Sequence, residues 1–281
     1  VTVTDKQNLL VVDWDFFFPS KEGDPAIDET GEWMLWDWGH SETMSFMLEH
    51  IWIGRAAAFK ANGIPRPEMN SEWMDFWDRF NIHEEAVLYF ADSNSQAYDP
   101  TVQSSWAAKT GSVWLYDAHH DSGYNKTVPE IFERGTVTCE DWMVPYRYQH
   151  QAELHVRYPR WKHWAFEVEP EAAIPGLDRQ FDDGEPNPVE FHTIFVCRSG
   201  AWVPPWCDED FHDFVYAAPV GELYEVAPCD QREWSEELVE KHEIQMRQLE
   251  ELQKKSPAEL QKILTLDETG SLEVGDDDEG R

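Results

Sequence analysis

The sequence predicts an α/β fold built on a mainly parallel sheet. Three observations carry this. The chain has 281 residues, enough for one large α/β domain or two small ones with a real core. Short β-branched apolar runs, such as Leu9 to Val12 and Val113 to Tyr116, read as buried strands. Between such runs lie segments whose apolar residues recur at helical spacing.

Element by element, Leu9–Val12 is a strand that ends in two carboxylates, Asp13 and Asp15. Residues 20–32 are rich in Asp, Glu and Gly and predict a loop. Ser41 to Ala61 carries Met44, Met47, Leu48, Ile51 and Trp52 on one helical face. Ser71 to Phe80 predicts helix and Ala86 to Ala91 a strand. Val113–Tyr116 is a strand that again runs straight into acids. Leu154–Tyr158 and Trp164–Val168 predict strands, residues 172–188 a loop, and Phe191–Val196 the last strand. Pro204 and Pro205 interrupt the chain before a helix from Asp208 to Val215. Asp230 and Glu233 form a capping box for a helix ending near Lys255, and Ser256 to Glu259 a second box with Pro257 at the first helical position. The organisation predicted is an α/β domain over 1–228, amphipathic helices over 229–266 and a disordered acidic tail over 267–281. The helices pack on their own domain or offer an oligomer contact.

Acids outnumber bases 56 to 22, a formal charge of -34. Such a field repels nucleic acid and anionic membranes and attracts cations, including cationic substrates. Acidity that serves only solubility is the plainer explanation. No apolar run reaches the length of a membrane span, and Val1 to Asn8 shows no signal-peptide pattern. The four cysteines are far apart and form no CxxC pair. The expectation is a cytoplasmic protein without structural disulfides.

Chemistry concentrates in Asp117-Ala118-His119-His120-Asp121, directly after a strand. On an extended segment, residues two apart face one way, so Asp117, His119 and Asp121 can converge, while His120 points away. Two carboxylates and an imidazole suit a divalent metal; such clusters also serve as turn formers. Asp13-Trp14-Asp15 follows the same logic at another strand end, where ligands collect in open α/β sheets. Buried carboxylates repel one another and need neutralising, which cations do. Fifteen tryptophans, among them Trp14, Trp36, Trp38, Trp114, Trp142, Trp202 and Trp206, fill the core or line a cleft for a planar cation.

DAHHD matches the metal motif of the ureohydrolases. More closely, the chain resembles the arginase-like family that includes peptide arginases. VVDWDFFFP, WGHSETMSF, VWLYDAHHD with CEDWMVPYRY, and IFVCRSGAWVPPW carry this resemblance, from Val11 to Trp206. The DxD block stands at the N-terminus here, whereas in the family it follows the DxHxD block, so the resemblance implies a permuted, three-layer αβα fold of the arginase/deacetylase type. Glu167-Val168-Glu169 is a competing acidic pair in the usual place. Asp141 stands where the family has Asn.

The resemblance implies metal ligands Asp13, Asp15, His40, Asp117, His119 and Asp121, with Asp117 and Asp13 bridging. It implies Asp117, Asp13 and Glu140 as catalytic and Glu42, Glu140 and Trp142 as substrate-binding. The cofactor expected is two Mn²⁺, which suit this hard donor set, with Zn²⁺ or Fe²⁺ as alternatives. A hydroxide bridging the metals would then hydrolyse a linear C–N bond, such as a guanidino group of an arginine-containing peptide or small cation. The alternatives are a deacetylase-like zinc amidohydrolase, which uses two Asp and one His, and a non-catalytic acidic interaction protein.

Overall fold

The computed structural model describes residues 6–18, 45–98, 106–162, 169–227, 229 and 232–256. Contacts divide the chain into two compact units, Val1–Trp234 and Ser235–Arg281.

Among the described residues, the first unit holds a seven-stranded sheet. Its strands are β1 (Gln7–Asp13), β2 (Phe80–Ala91), β3 (Thr110–Tyr116), β4 (Glu153–Tyr158), β5 (Asp178–Phe181), β6 (Asn187–Cys197) and β7 (Glu222–Glu225). They run in the order β5-β4-β3-β1-β6-β2-β7, and every pairing is parallel. The strand ending at Asp13 is therefore the middle strand. It pairs with β3 through Val12↔Tyr116 and with β6 through Val12↔Val196.

Alternation along β1 feeds two cores, as a strand buried on both faces requires. Leu10 and Val12 join Trp52 and Phe59 of α1 (Ser45–Ala61) and Phe211 and Phe214 of α4 (Asp208–Ala217). Leu9 and Val11 face the other way. They join Ile131 of α2 (Val128–Arg134) and Met143, Val144 and Tyr146 of α3 (Met143–Tyr148). Helices thus cover both faces, giving three layers. Trp14, Trp52 and Trp142 are fully buried and serve packing; Trp77 stacks on Phe214 with centroids 4.5 Å apart.

Several elements differ from the sequence reading. Ser71 to Phe80 is two short 3-10 turns, Ser71–Trp73 and Phe76–Arg79, and β2 begins at Phe80. Residues 172–188 contain the edge strand β5, too polar to announce itself. The short helices α2 and α3 and the edge strand β7 were not anticipated. α2 carries a capping box, with Thr127 Oγ1 accepting from Glu130 N and the Glu130 carboxylate accepting from Thr127 N. In the second unit, α5 (Glu236–Gln253) starts after Ser235, whose hydroxyl accepts from Leu238 N at 3.2 Å. It does not start at Asp230. The strand expected at Trp164–Val168, the helix expected after Ser256 and the tail lie outside the described residues.

Candidate metal centre

All seven strands point the same way, so their C-terminal ends share one edge of the sheet. After β1 the chain crosses to β2 on one side; after β3 it moves to β4 on the other. The crevice between the ends of β1 and β3 is thus a topological switch point, where ligands bind in open α/β sheets. Asp13 and Asp117 stand there side by side.

Five of the sequence-predicted ligands converge at this point. Oxygen atoms of Asp13, Asp117 and Asp121 lie within 4.8 Å of one another, as do ligand atoms of Asp15, Asp117 and His119. Asp117 belongs to both groups; Asp13 belongs to one. The carboxylates of Asp13, Asp15, Asp117 and Asp121 are all buried. His119 is the accessible member, with 22% of its side chain exposed. The half-buried Trp202 ring lies beside it, 4.8 Å away between centroids. His40 and Glu42 lie outside the described residues, as do Trp36, Trp38 and Glu167.

The convergence has a different origin from strand alternation. β1 stops at Asp13, which caps a 3-10 turn over Trp14–Phe17 by accepting from Asp15 N on Oδ1 at 3.2 Å. The turn swings Asp15 across, and its Oδ1 accepts from Ala118 N at 3.2 Å. β3 stops at Tyr116, and the next five residues form a loop. Asp117 Oδ1 accepts from His119 N at 2.7 Å, and Asp121 has a left-handed backbone, φ 45°. This bend turns Asp121 back toward Asp13. Gly123, φ 82°, follows where a Cβ would lie 2.8 Å from Ile131 and 2.9 Å from Ala173, so only glycine fits.

Residues that sequence reasoning missed, with Glu169 of the competing acidic pair, hold the loop and the carboxylates. Asn94 lies just beyond β2, and its Nδ2 reaches Asp13 Oδ2 at 2.6 Å, Asp121 Oδ2 at 2.9 Å and Asp117 Oδ2 at 3.3 Å. Arg198, after β6, holds the chain just before the 3-10 turn Asn94–Tyr98 by donating to both carboxylate oxygens of Asp92. Lys162 is buried and donates to Ala118 O. Glu169 Oε1 accepts from His120 N and from the Tyr124 hydroxyl, both at 2.9 Å, and its other oxygen accepts from Tyr158. His120 does point away, with Nε2 2.8 Å from Pro170 O.

One role changes. Trp142 is fully buried and donates its indole N–H to Asp121 Oδ2 at 2.9 Å. It positions a carboxylate and cannot touch substrate. Glu140 is half exposed and ion-paired with Lys126. Asp141, fully buried, accepts from Arg134 on both oxygens and from Thr138 N. It organises the turn.

Burial and mutual repulsion set the electrostatics of the cluster. Burial, then the neighbouring carboxylates, push Asp13 and Asp117 well above the usual carboxylate range. Asp15 goes the other way: burial pushes it up, but His119 and Lys162 outweigh this and hold it low. His119 Nδ1 lies 2.9 Å from Asp15 Oδ2 and pairs with it. Asn94 Oδ1 is a buried acceptor that receives no hydrogen bond. Crowded carboxylates, an orphaned amide oxygen and an imidazole fit divalent cations by donor chemistry.

No protein-family model, no curated protein and no solved structure matches this chain.

Proposed function

We propose that the protein is a metal-dependent hydrolase of a linear C–N bond, on a permuted arginase/deacetylase-like fold. The observation that carries this is Asp117, shared by two three-residue ligand groups at the ends of adjacent parallel strands. Asp13, Asp117 and Asp121 would hold one divalent cation, and Asp15, Asp117 and His119 the other. The donors suit Mn²⁺, with Zn²⁺ or Fe²⁺ as alternatives. Bound there, the cations would supply Lewis acidity and an acidified water. Strand position rather than chain order would explain how an N-terminal DxD serves such a site.

The chain's own groups would do the rest. Lys162 and Glu169 fix the loop from Asp117 to Asp121. A carboxyl of the cluster, Asp13 or Asp117, would return the proton to the leaving amine. The half-buried Trp202 beside His119 could stack a planar cation. With the -34 charge, that favours a guanidino group of a peptide or small molecule as substrate.

A second reading has one observation in its favour. Asp15, Asp117 and His119 alone make a two-Asp, one-His set, while the Asn94 amide engages the other carboxylates. That would be a single-zinc, deacetylase-like amidohydrolase. The test is metal content per chain, with urea or ammonia release from arginine, agmatine and arginine-containing peptides in Mn²⁺. Release with two metals supports the first reading. No release, alongside hydrolysis of an acetylated amine with one zinc, overturns it.

A further inference from the structure

We propose that Asn94 is itself a ligand of the Asp13–Asp117–Asp121 half-site, and that its amide turns over when a cation arrives. The inference rests on the two-cation reading above and names a residue that neither the motifs nor the resemblance points to.

The amide touches all three carboxylates through one atom, Nδ2, at 2.6, 3.3 and 2.9 Å. It is therefore the immediate neighbour of any cation those oxygens share. Asn94 is buried, so its side chain has little room to leave. As placed, its N–H groups act as the positive partner of three crowded carboxylates. With a cation bound, those hydrogens would face like charge. A half-turn about the last side-chain bond exchanges Nδ2 for Oδ1 with almost no change of shape.

Oδ1 is the second observation. It is buried and accepts no hydrogen bond, an uncommon state for an amide oxygen in a protein interior. Carbonyl oxygens are good ligands for hard cations such as Mn²⁺. The turn would give this oxygen a partner and remove the repulsion in one movement. Its backbone anchor is firm. Ala91 O accepts from Arg198 N at 2.9 Å, and Arg198 grips Asp92 two residues before Asn94.

The half-sites then differ. Asn94 Nδ2 touches the Asp15–Asp117–His119 group only through Asp117, at 3.3 Å, whereas it touches every member of the other group and must turn before that one fills. Metal should load in two steps, the second weaker.

The experiment titrates the metal-free, full-length chain with Mn²⁺, following free Mn²⁺ by electron paramagnetic resonance. Asn94→Asp removes the competing donor and adds a charged oxygen; the second step should tighten by about 10-fold or more. Asn94→Leu keeps the volume without a ligand atom; the second step should weaken by about 10-fold or more. Thermal unfolding of each metal-free variant verifies that it folds, and Asn94→Asp carries the test if Asn94→Leu does not. If Asn94→Leu binds the second ion as well as or better than the parent, Asn94 is only a stand-in donor and the inference fails alone. If Asn94→Asp does not tighten the second step, it fails likewise. If the parent binds fewer than two ions, the two-cation reading fails with it.

Discussion

Asp13 and Asp117 are neighbours across two parallel strands, each one residue beyond the pair Val12↔Tyr116. They are also joined by one amide, Asn94 Nδ2, at 2.6 and 3.3 Å. More than a hundred positions separate them in the chain, yet the register leaves them no other place. Two carboxylates held this close in a buried site cannot both stay charged without a partner. This relationship yields the predictions below.

Asp117→Asn should abolish turnover and lower bound metal from about two ions to below one per chain, because Asp117 alone serves both ligand groups. The side chain keeps its shape, so the fold should survive. Metal analysis after gel filtration, with circular dichroism on the same sample, checks both halves. Full metal content in the variant would remove Asp117 from the centre.

Trp142→Phe keeps an aromatic ring in the core but removes the N–H that donates to Asp121 Oδ2. Metal affinity should fall by about 10- to 100-fold, the usual effect of losing a hydrogen bond to a ligand. KM should follow only as far as metal occupancy does, since the indole is buried and touches no substrate. A rise in KM at saturating metal would return Trp142 to the binding surface.

Glu140→Gln should leave kcat/KM within about 3-fold of the parent, because Lys126 already pairs with this half-exposed carboxylate. A loss of 100-fold or more for arginine peptides, specific to KM, would mean that Glu140 breaks from Lys126 to hold the substrate.

Glu169 gives a pH dependence. Burial alone pushes its carboxyl up; the Lys162 ammonium, then His120, outweigh this and hold it below the usual glutamate range. A depressed carboxylate stabilises the fold above its unfolded pKa, and this contribution is lost as pH falls through the folded pKa. Glu169→Gln should therefore cost about 2 kcal/mol near neutral pH, and the gap to the parent should close in acid. Melting curves from pH 7 down to pH 3 test it. A gap that stays constant with pH would show that the charge contributes nothing.

The sequence made the centre of the fold legible where apolar runs meet acids. Leu9–Val12 before Asp13, and Val113–Tyr116 before Asp117, are such runs, and both proved to be central strands. Burial on both faces makes such strands uniformly apolar. The edge strands β5 and β7 read DRQF and ELYE, polar enough to pass for loop. The convergence of these side chains was expected for a partly mistaken reason. Alternation along a strand was expected, but a 3-10 turn and a left-handed Asp121 bring the oxygens together. Asn94 and Lys162 were out of reach because their role depends on strand order, and Glu169 was read as a competing acidic pair with Glu167, not as an anchor of the loop. β2 lies two strands from β1, with β6 between, and nothing local to Asn94 encodes that. Trp142 was assigned to substrate from its place beside a motif. Its burial could not be read from a sequence in which tryptophan is common throughout.

The most direct test of the proposed two-cation centre is a crystal structure of the protein grown with Mn²⁺, read by anomalous scattering. The account predicts two anomalous peaks at the ends of β1 and β3, both against the Asp117 carboxylate. One should sit with Asp13 and Asp121 and the other with Asp15 and His119. Fully occupied crystals with no peak beside Asp117, or with Mn²⁺ bound only elsewhere on the acidic surface, would contradict it.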